Sequence, residues 1–443
     1  MDRKLAGAWY TPPELVHELV AGVLALAPPT RRPLRVLDPA CGDGRLLTAL
    51  AARLNGRCNL IGVDIDPDAA AAARSAGVDA HCADSLRFDW HDRTFDVVIG
   101  NPPFLSQMAA ITSRGGASRH GGGPYADAAA EFLALATRLA RPDGGVVALV
   151  LPQAILGARD AGPVRAAVGA SAELVWSWWQ PRQGHFDAAV NVCMVGLRRG
   201  GSTPPDAWTR VVTERLGIPA LDHRALQTAG SLGDRAELNA NFRDEYYALV
   251  GAVADGADGP PLITSGLIDP GVCHWGQRRV RFAKRDFAAP RVDLAALTGR
   301  FPAWAARKLV PKVLIANQTK VIEAVADADG AWLPGVPVST ATPTDAGAVW
   351  ELAAVLTCPV ASVLAWQAAA GTGLSTSAVR VSPSVLGATP WPAGDLTRAV
   401  GALRAGDVAG CATEVCAAYG LAPAVSEGLL PWWDANRPAT PIR

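Results

Sequence analysis

The sequence lacks the cysteine patterns that mark zinc-binding and disulfide-bonded proteins. Its eight cysteines form no CxxC pair and no cluster with histidine. Their arrangement argues against a structural zinc site and against the disulfide framework of a secreted domain. A chain with free thiols suits a reducing compartment, so we expect a cytoplasmic protein without a metal site.

Long apolar runs and an excess of one charge are absent too. The N-terminal segment has no apolar run of the signal-peptide type, and no stretch approaches the roughly 18 apolar residues of a membrane span. We therefore expect no membrane partner. The 41 basic and 41 acidic side chains cancel, so any binding to nucleic acid must come from a local basic surface.

The composition does supply a large apolar core, since half of the 443 residues are hydrophobic. That length suits two domains. Short apolar strands alternate with helices through the first two hundred residues, which predicts an α/β fold, a Rossmann-like and mostly parallel sheet with helices on both faces. Thr11 is predicted to cap a helix that runs to Leu26. The predicted strands are Leu34–Asp38, one ending at Asp64, one near Cys82, Phe95–Gly100, Val146–Leu151, Leu174–Trp178 and Val192–Leu197.

Glycine and proline divide the rest of the chain. The stretch RRGGSTPPD around residues 198–205 reads as a linker, and DGADGPP at residues 255–261 makes a second break. We therefore predict one domain over residues 1–200, a linker and helical connector over 201–260, and a less regular α+β domain over 261–443.

A glycine-containing turn, DPACGDG, follows the first predicted strand from Asp38 to Gly44. Glycines there let the backbone approach a ligand that a Cβ would exclude. In open α/β sheets, ligands bind at the carboxyl ends of the strands. An ordinary tight turn is the plain alternative. A dinucleotide site is another, although Leu47 stands where the third glycine of GxGxxG belongs.

Two further acidic residues follow predicted strands. Asp64 ends the second strand about 20 residues after the glycine turn, where a carboxylate accepts hydrogen bonds from ribose hydroxyls. Ile65 follows it and can pack on an adenine ring, and Asp84 follows the third strand, where it can accept from the adenine amino group. Each acidic residue alone is typical of a solvated strand end. The ordered series of Asp38, Asp64 and Asp84 instead indicates a nucleoside-binding edge of the sheet.

The tetrapeptide Asn101-Pro102-Pro103-Phe104 directly after the fourth strand carries the most specific signal. With GAWYTPPELV, VLDPACGDGRLL, GVDIDP and CADSL, all in this order, the chain resembles the gamma-class, Taq-type adenine-N6 DNA methyltransferases. In that family the recognition domain comes last, and residues 263–395 resemble it more loosely. Two departures are Ser85, where the family often has an aromatic residue, and Phe104, where tyrosine is commoner.

The resemblance implies S-adenosylmethionine as cofactor and a flipped-out adenine in double-stranded DNA as substrate. It makes residues 1–200 the catalytic domain and 261–443 the target-recognition domain. Asn101, Pro102, Pro103 and Phe104 become the catalytic residues. The residues implied to bind the cofactor are Thr11, Asp38, Ala40, Gly42, Gly44, Asp64, Ile65, Asp84, Ser85 and Asn101.

Amine chemistry explains the tetrapeptide. The lone pair of an aromatic amine is delocalised into the ring, so the amine is a poor nucleophile. The Asn101 side-chain carbonyl and the Pro102 backbone carbonyl can accept both N6 hydrogens, which favours a lone pair aimed at the sulfonium methyl. A flipped base needs an aromatic surface. Phe104 is the first candidate, and Phe186 is a second one that reads equally well as a core residue.

A basic segment, HWGQRRVRFAKR from His274 to Arg285, offers contacts to DNA phosphates. Arg278, Arg279 and Arg281 are the predicted substrate-binding residues there. Four more basic residues follow, namely Arg307, Lys308, Lys312 and Lys320. A solvated basic surface is the plain alternative. The glycine-rich loop 112–124 is predicted either to close over DNA or to be an ordinary surface loop.

Other substrates remain open at this stage. NPPF-type motifs also occur in enzymes that methylate a glutamine amide in release factors, or amino groups in RNA. A catalytically silent DNA-binding protein is a third possibility, against which the intact NPPF speaks. Because the motifs begin near residue 1, we expect a modification enzyme without a nuclease domain, with a separate restriction endonuclease or defence protein as partner.

Overall fold

The computed structural model describes residues 11–27, 31–104, 127–179, 191–241, 243–373 and 375–438. The chain divides into two compact units. The first comprises residues 1–212 and 370–376, and the second comprises residues 213–369 and 377–443. The boundary thus falls at residue 213, and the predicted connector 201–260 is shared between the two units.

The first unit is built on a seven-stranded sheet in the order β3-β2-β1-β4-β5-β7-β6. Five of its strands, β1 to β5, pair in parallel, while β7 runs antiparallel to both β5 and β6. The strands are β1 Leu34–Asp38, β2 Cys58–Asp64, β3 Asp79–Cys82, β4 Val97–Gly100, β5 Val146–Pro152, β6 Ala172–Trp179 and β7 Val192–Arg199.

Every residue of β4 and β5 is buried. Their sequences, VVIG and VVALVLP, are continuous apolar runs because helices cover both faces of the sheet. The helices of this unit are α1 Pro13–Leu26, α2 Arg45–Arg53, α3 Pro67–Ser75, α4 Ala128–Leu139, α5 Gly162–Gly169 and, across the boundary, α6 Ala207–Thr213. The predicted α/β fold class is confirmed; the reversed β7 was not foreseen, since an apolar run does not reveal a strand's direction.

The predicted cap of α1 is wrong by one residue. The helix begins at Pro13, its N-cap is Pro12, and no side chain caps it. The Thr11 hydroxyl instead accepts a hydrogen bond from the Asn101 side chain, so this side chain is engaged away from the helix end.

The second unit mixes short strands with helices. Its largest sheet is four-stranded and antiparallel, in the order β19-β17-β21-β9. The strands are β8 Thr228–Ser231, β9 Ala236–Ala240, β10 Val253–Asp255, β11 Leu262–Ile263, β12 Ile268–Asp269, β13 Val272–Cys273, β14 Val280–Phe282, β15 Arg285–Phe287, β16 Pro290–Val292, β17 Lys312–Ala316, β18 Gln318–Thr319, β19 Ala324–Asp327, β20 Leu333–Pro334, β21 Val338–Pro343, β22 Val379–Arg380 and β23 Pro390–Pro392. Since β9 pairs with β21, the part of the predicted connector that contains it belongs to this unit.

Helices complete the second unit, and several of them are mostly apolar. They are α7 Arg243–Val250, α8 Phe301–Lys308, α9 Val349–Leu356, α10 Pro359–Ala369, α11 Pro383–Gly387, α12 Thr397–Arg404, α13 Val408–Ala418 and α14 Pro423–Asn436. Among the described residues, no single helix is long and apolar enough to cross a membrane. Residues 346–356 and 359–369 meet that criterion only as a pair, bent by 71°.

A buried ion pair lies in the four-stranded sheet of the second unit. Lys312 is completely buried, and its ammonium group donates to Asp327, which is 2% exposed. The Asp327 carboxylate also accepts the backbone N–H groups of Ala331 and Trp332. Burial lowers the pKa of Lys312. The expectation that Lys312 contacts phosphates is therefore wrong, because its charge is enclosed in the core.

We predict that Asp327→Ala strongly destabilises the second unit. The change leaves a buried ammonium group without its counter-charge, and such losses cost about 3–5 kcal/mol. Unfolding by denaturant, monitored by tryptophan fluorescence, measures the free energy of unfolding. Asp244→Ala is the matched control, because Asp244 pairs with Arg300 where both side chains are mostly exposed. That variant should be almost as stable as the wild type. Equal losses of stability in the two variants would contradict the prediction.

Candidate functional site

The parallel strands bring the predicted site residues to one edge of the first unit. β1 ends at Asp38 and β2 at Asp64, and Asn101 follows the end of β4. These three strands are neighbours in the sheet, so their carboxyl ends lie side by side. Asp84 comes two residues after β3, at the same edge. The residues that the sequence predicted to act together are therefore neighbours in the fold.

The turn after β1 is held by hydrogen bonds to acidic side chains. The Ala40 backbone N–H donates to Asp38 Oδ1 at 2.9 Å, and the Gly42 N–H donates to Asp64 Oδ2 at 2.7 Å. Gly42 and Gly44 have φ angles of 54° and 82°, in the left-handed region that glycine adopts without a steric penalty. Glycine is therefore required for this turn, which leads directly into α2.

Asp64 has a second anchor, since its Oδ1 accepts the Asp66 N–H at 2.9 Å. Both carboxylate oxygens are thus oriented by backbone amides and keep capacity for further donors. Ile65 follows with 59% of its surface exposed, which is unusual for a large apolar side chain next to a buried strand. A carboxylate beside an exposed apolar surface suits a ribose and an adenine ring.

The Asp84 and Ser85 side chains have different surroundings. Asp84 is 37% exposed and faces Arg87, with 3.3 Å between Oδ2 and Nε. Ser85 is buried, and its hydroxyl donates to the Pro39 carbonyl. The hydroxyl of Ser85 therefore ties the turn after β1 to the loop after β3. The structure gives the Ser85 side chain this framework role, which differs from the predicted contact with the cofactor.

The Asn101 amide is oriented by the segment that precedes α1. Its Nδ2 donates to the Thr11 hydroxyl at 3.1 Å, which directs the side-chain carbonyl away from Thr11. Thr11 is 4% exposed. Arg45 in turn donates to the Thr11 backbone carbonyl at 3.0 Å and forms a bidentate pair with Asp43. The hydrogen bonds among Arg45, Asp43 and Thr11, called the brace below, link the turn after β1 to Asn101.

Arg45 is a residue that sequence reasoning missed. It stands directly after the DPACGDG turn, and an arginine two residues after an aspartate offers a local pairing that could have been noticed. Its hydrogen bond to Thr11, 34 residues away, has no sequence signal. Pairing with Arg45 lowers the pKa of Asp43, so this carboxylate stays charged.

Pro102 to Phe104 complete the edge. Pro102 is buried, while Pro103 and Phe104 are partly buried. Phe104 packs against the apolar core that α1 and β4 share. Phe186 and residues 112–124 lie outside the described residues, so the predicted second aromatic and the predicted loop closure keep the status of predictions.

Asp38 is the most perturbed carboxyl group of this edge. It is 1% exposed, and burial raises its pKa to about 8, with a smaller contribution from the negative charge of Asp64. Gly100 lies against it: a Cβ at this glycine would stand 2.9 Å from Asp38 Oδ1. Gly100 is a second residue that the sequence did not single out, and its close approach is what permits Asp38 to lie beside Asn101.

The predicted substrate arginines lie in the second unit. Arg278 forms two hydrogen bonds to Asp269, at 3.0 and 2.8 Å, and one to the Gly266 carbonyl. Its guanidinium is thus engaged within the fold, which argues against the predicted direct contact with DNA. Arg279 and Arg281 are exposed. Among the described residues, no group of three or more His, Cys, Asp or Glu side chains is placed to hold a metal ion.

Comparisons with known proteins indicate a methyltransferase domain. Residues 36–113 match the family model of a methyltransferase domain. The type II methyltransferase M.CvrRI of Paramecium bursaria Chlorella virus XZ-6E is 26% identical over 159 residues, which are 36% of this chain and 39% of that protein. The type II methyltransferase M.TthHB8I of Thermus thermophilus is 38% identical over 94 residues, 21% of this chain and 20% of that protein.

A third relative modifies RNA. The tRNA1(Val) (adenine(37)-N6)-methyltransferase of Dickeya chrysanthemi is 28% identical over 197 residues, which are 40% of this chain and 71% of that protein. The chain spans less than half the length of the two type II methyltransferases. The first unit nevertheless contains a methyltransferase domain, and its cofactor is S-adenosylmethionine, as the sequence predicted.

We predict that Asp64→Ala weakens cofactor binding by about 10- to 100-fold, the usual cost of losing hydrogen bonds to a charged group. Isothermal titration with S-adenosylmethionine measures the affinity. Asp66→Ala is the control, since Asp66 is two residues away and its side chain caps α3 through the Asp68 N–H. An affinity that falls equally in both variants would contradict the assigned role of Asp64.

Asp38 makes the stability of the cofactor-free protein depend on pH. In the unfolded chain its carboxyl group ionises near pH 4, but in the fold it holds its proton up to about pH 8. The folded state therefore binds the extra proton between these values, and its stability falls as the pH rises through them.

Asp38→Asn removes this titration but keeps an acceptor for the Ala40 N–H. We expect the melting temperature of the variant, relative to the wild type, to increase by a few degrees between about pH 5 and pH 8. Differential scanning calorimetry without cofactor at several pH values tests this. A difference that stays constant with pH would contradict the raised pKa.

Proposed function

We propose that the protein is a site-specific DNA methyltransferase of the gamma class that methylates the N6 amino group of adenine. The observation that carries the proposal is the position of Asn101-Pro102-Pro103-Phe104 at the end of β4. That position is beside the turn after β1, on whose other side β2 ends at Asp64, and the Asn101 amide is held by Thr11. The resemblance of the ordered motifs to this class supports the choice of substrate.

The cofactor residues follow from the same edge. Asp64 would accept the ribose hydroxyls, Ile65 would cover one face of the adenine, and Asp84 would accept the adenine amino group. The turn from Asp38 to Gly44 would hold the methionine part through its backbone. When bound, S-adenosylmethionine supplies an electrophilic methyl group on its sulfonium.

Asn101 and Pro102 would position the nucleophile. Because the Asn101 Nδ2 donates to Thr11, its carbonyl oxygen remains the group that accepts a hydrogen from the substrate amine. The Pro102 carbonyl would accept the second hydrogen, and the proline rings bring no competing N–H. Phe104 would stack on the flipped base, which must leave the duplex to reach this edge. Rate acceleration then comes mainly from orientation and fixed dipoles.

The second unit would hold the DNA and read its sequence, as the predicted target-recognition domain. Within a restriction-modification or phage-defence system, the protein would protect DNA beside a separate endonuclease. The two type II methyltransferases among the relatives support that setting. The tRNA adenine-N6-methyltransferase, of which the match spans 71%, makes RNA the second candidate substrate.

We predict that Asn101→Ala lowers turnover at least about a hundredfold and leaves cofactor affinity nearly unchanged, because a fixed transition-state contact is lost. Transfer of a labelled methyl group to duplex DNA measures turnover, and titration measures affinity. Asn59→Ala, an exposed asparagine on β2, is the matched control. Unchanged turnover in Asn101→Ala would refute its catalytic role.

Single-molecule sequencing of DNA from a methylation-deficient host that expresses the protein tests the substrate. N6-methyladenine at one short motif, absent with the Asn101→Ala variant, is the expected result. Nucleoside mass spectrometry of RNA from the same cells is the second arm. Unmodified DNA with modified RNA would move the assignment to an RNA enzyme.

A further inference from the structure

The second unit contains an open cavity of about 340 Å3 beside the hairpin formed by β14 and β15. Arg279 and Arg281 line it together with Thr264, Ser265 and Pro337. Its walls are therefore cationic on one side and mixed polar and apolar on the other. A volume of this size lies in the range of small-ligand sites.

The two arginines lie on the same side of an extended segment. Side chains alternate along a strand, and Val280 between them is buried in the core. Within the part of the chain that the structure describes, neither Arg279 nor Arg281 forms a hydrogen bond or an ion pair within 4 Å. Asp286 lies opposite Arg281 in the hairpin register and is the nearest acidic residue on that pair of strands. Asp255 on β10 lies near enough for the charge of Arg279 to help lower the pKa of its carboxyl group. Because this attraction involves no direct ion pair, both guanidinium groups can still bind an anionic ligand.

Arg278 stabilises the wall of the cavity. Its hydrogen bonds to Asp269 and to the Gly266 carbonyl fix the segment 264–266 that forms one wall of the cavity. His274 also contacts Asp269, with 2.7 Å between Nε2 and Oδ2. From that same wall, the Ser265 hydroxyl donates to the Pro337 carbonyl at 2.9 Å. The cavity is therefore held by fixed contacts, while the two neighbouring arginines remain exposed.

The hairpin tip adds further positive charge. Ala283 and Lys284 form its two-residue turn with φ angles of 49° and 64°, a left-handed conformation that L-residues adopt at a cost. The tip displays Lys284 and the exposed Arg285 beyond the two arginines. Against these four cations, the hairpin carries one acidic residue, Asp286.

We propose that this cavity binds a phosphate group of the nucleic-acid backbone, held by Arg279 and Arg281. Guanidinium groups match phosphate oxygens in charge and geometry, and the apolar wall at Pro337 accommodates the neighbouring sugar. The proposal rests on the proposed function, because it takes DNA as the ligand. It assigns the phosphate contacts of the basic segment to these two arginines. Arg278 would instead hold the cavity wall in place.

The test compares two charge-matched double variants of the full-length protein. Arg279→Ala/Arg281→Ala removes the proposed contacts, while Arg224→Ala/Arg398→Ala removes two exposed arginines elsewhere in the second unit. Fluorescence anisotropy with a duplex oligonucleotide measures affinity from about 50 to 300 mM salt. We expect the first variant to bind about tenfold or more weakly, with a salt slope lower by about 1, the value for one phosphate. The control should retain at least half of the wild-type affinity.

A charge-preserving variant separates contact from packing. Arg279→Lys/Arg281→Lys should keep the wild-type salt slope, since both charges remain. Inorganic phosphate as competitor separates the ligand sources. If millimolar phosphate protects only the wild type against heat while the alanine variant binds DNA normally, the cavity serves a free phosphate and the proposal is overturned. Equal DNA affinity of the two double-alanine variants would overturn it as well.

The two proposals fail in different ways. Wild-type protein that binds DNA through these arginines but methylates no DNA would refute the proposed reaction alone. Wild-type protein that methylates DNA while both double-alanine variants bind it equally would refute the phosphate site alone.

Discussion

The parallel pairing of β1 between β2 and β4 is the constraint from which the candidate site follows. With β1 in register with β2, Asp38 lies opposite Gly62, two residues before the end of β2. The turn after β1 can then reach Asp64 with a 2.7 Å hydrogen bond from Gly42. On the other side, β4 delivers Asn101 to the same edge. The residues proposed to bind the cofactor and those proposed to be catalytic meet because three strands point the same way.

The brace of Arg45, Asp43 and Thr11 adds rigidity to that arrangement. A side-chain amide at a strand end has several rotamers, and ordering it costs conformational entropy. The hydrogen bond to the buried Thr11 selects one orientation of Asn101, and Arg45 fixes the Thr11 backbone. A hydrogen-bond acceptor that is oriented in advance loses less conformational entropy when its ligand binds. This is the general advantage of a preorganised site.

Sequence reasoning located the strand ends, because each motif there is short and local. Asp38, Asp64 and Asn101 could be placed from apolar runs that stop at a polar residue. The roles of Thr11, Ser85 and Lys312 could not, since their partners lie 90, 46 and 15 residues away. A basic segment likewise does not show which arginine is engaged: Arg278 pairs within the fold, whereas its neighbour Arg279 is exposed. Pairing across such distances is decided by packing, which sequence patterns do not encode.

The contact between Gly100 and Asp38 restricts how this enzyme can diverge. Gly100 precedes the tetrapeptide, and Asp38 opens the turn that is proposed to hold the cofactor. Any side chain at position 100 would push against the Asp38 carboxyl group. A lineage that alters the backbone before the tetrapeptide must therefore accommodate the change in the cofactor turn at the same time. The two halves of the site are therefore mutationally coupled, and a viable change at one of them requires a compensating change at the other.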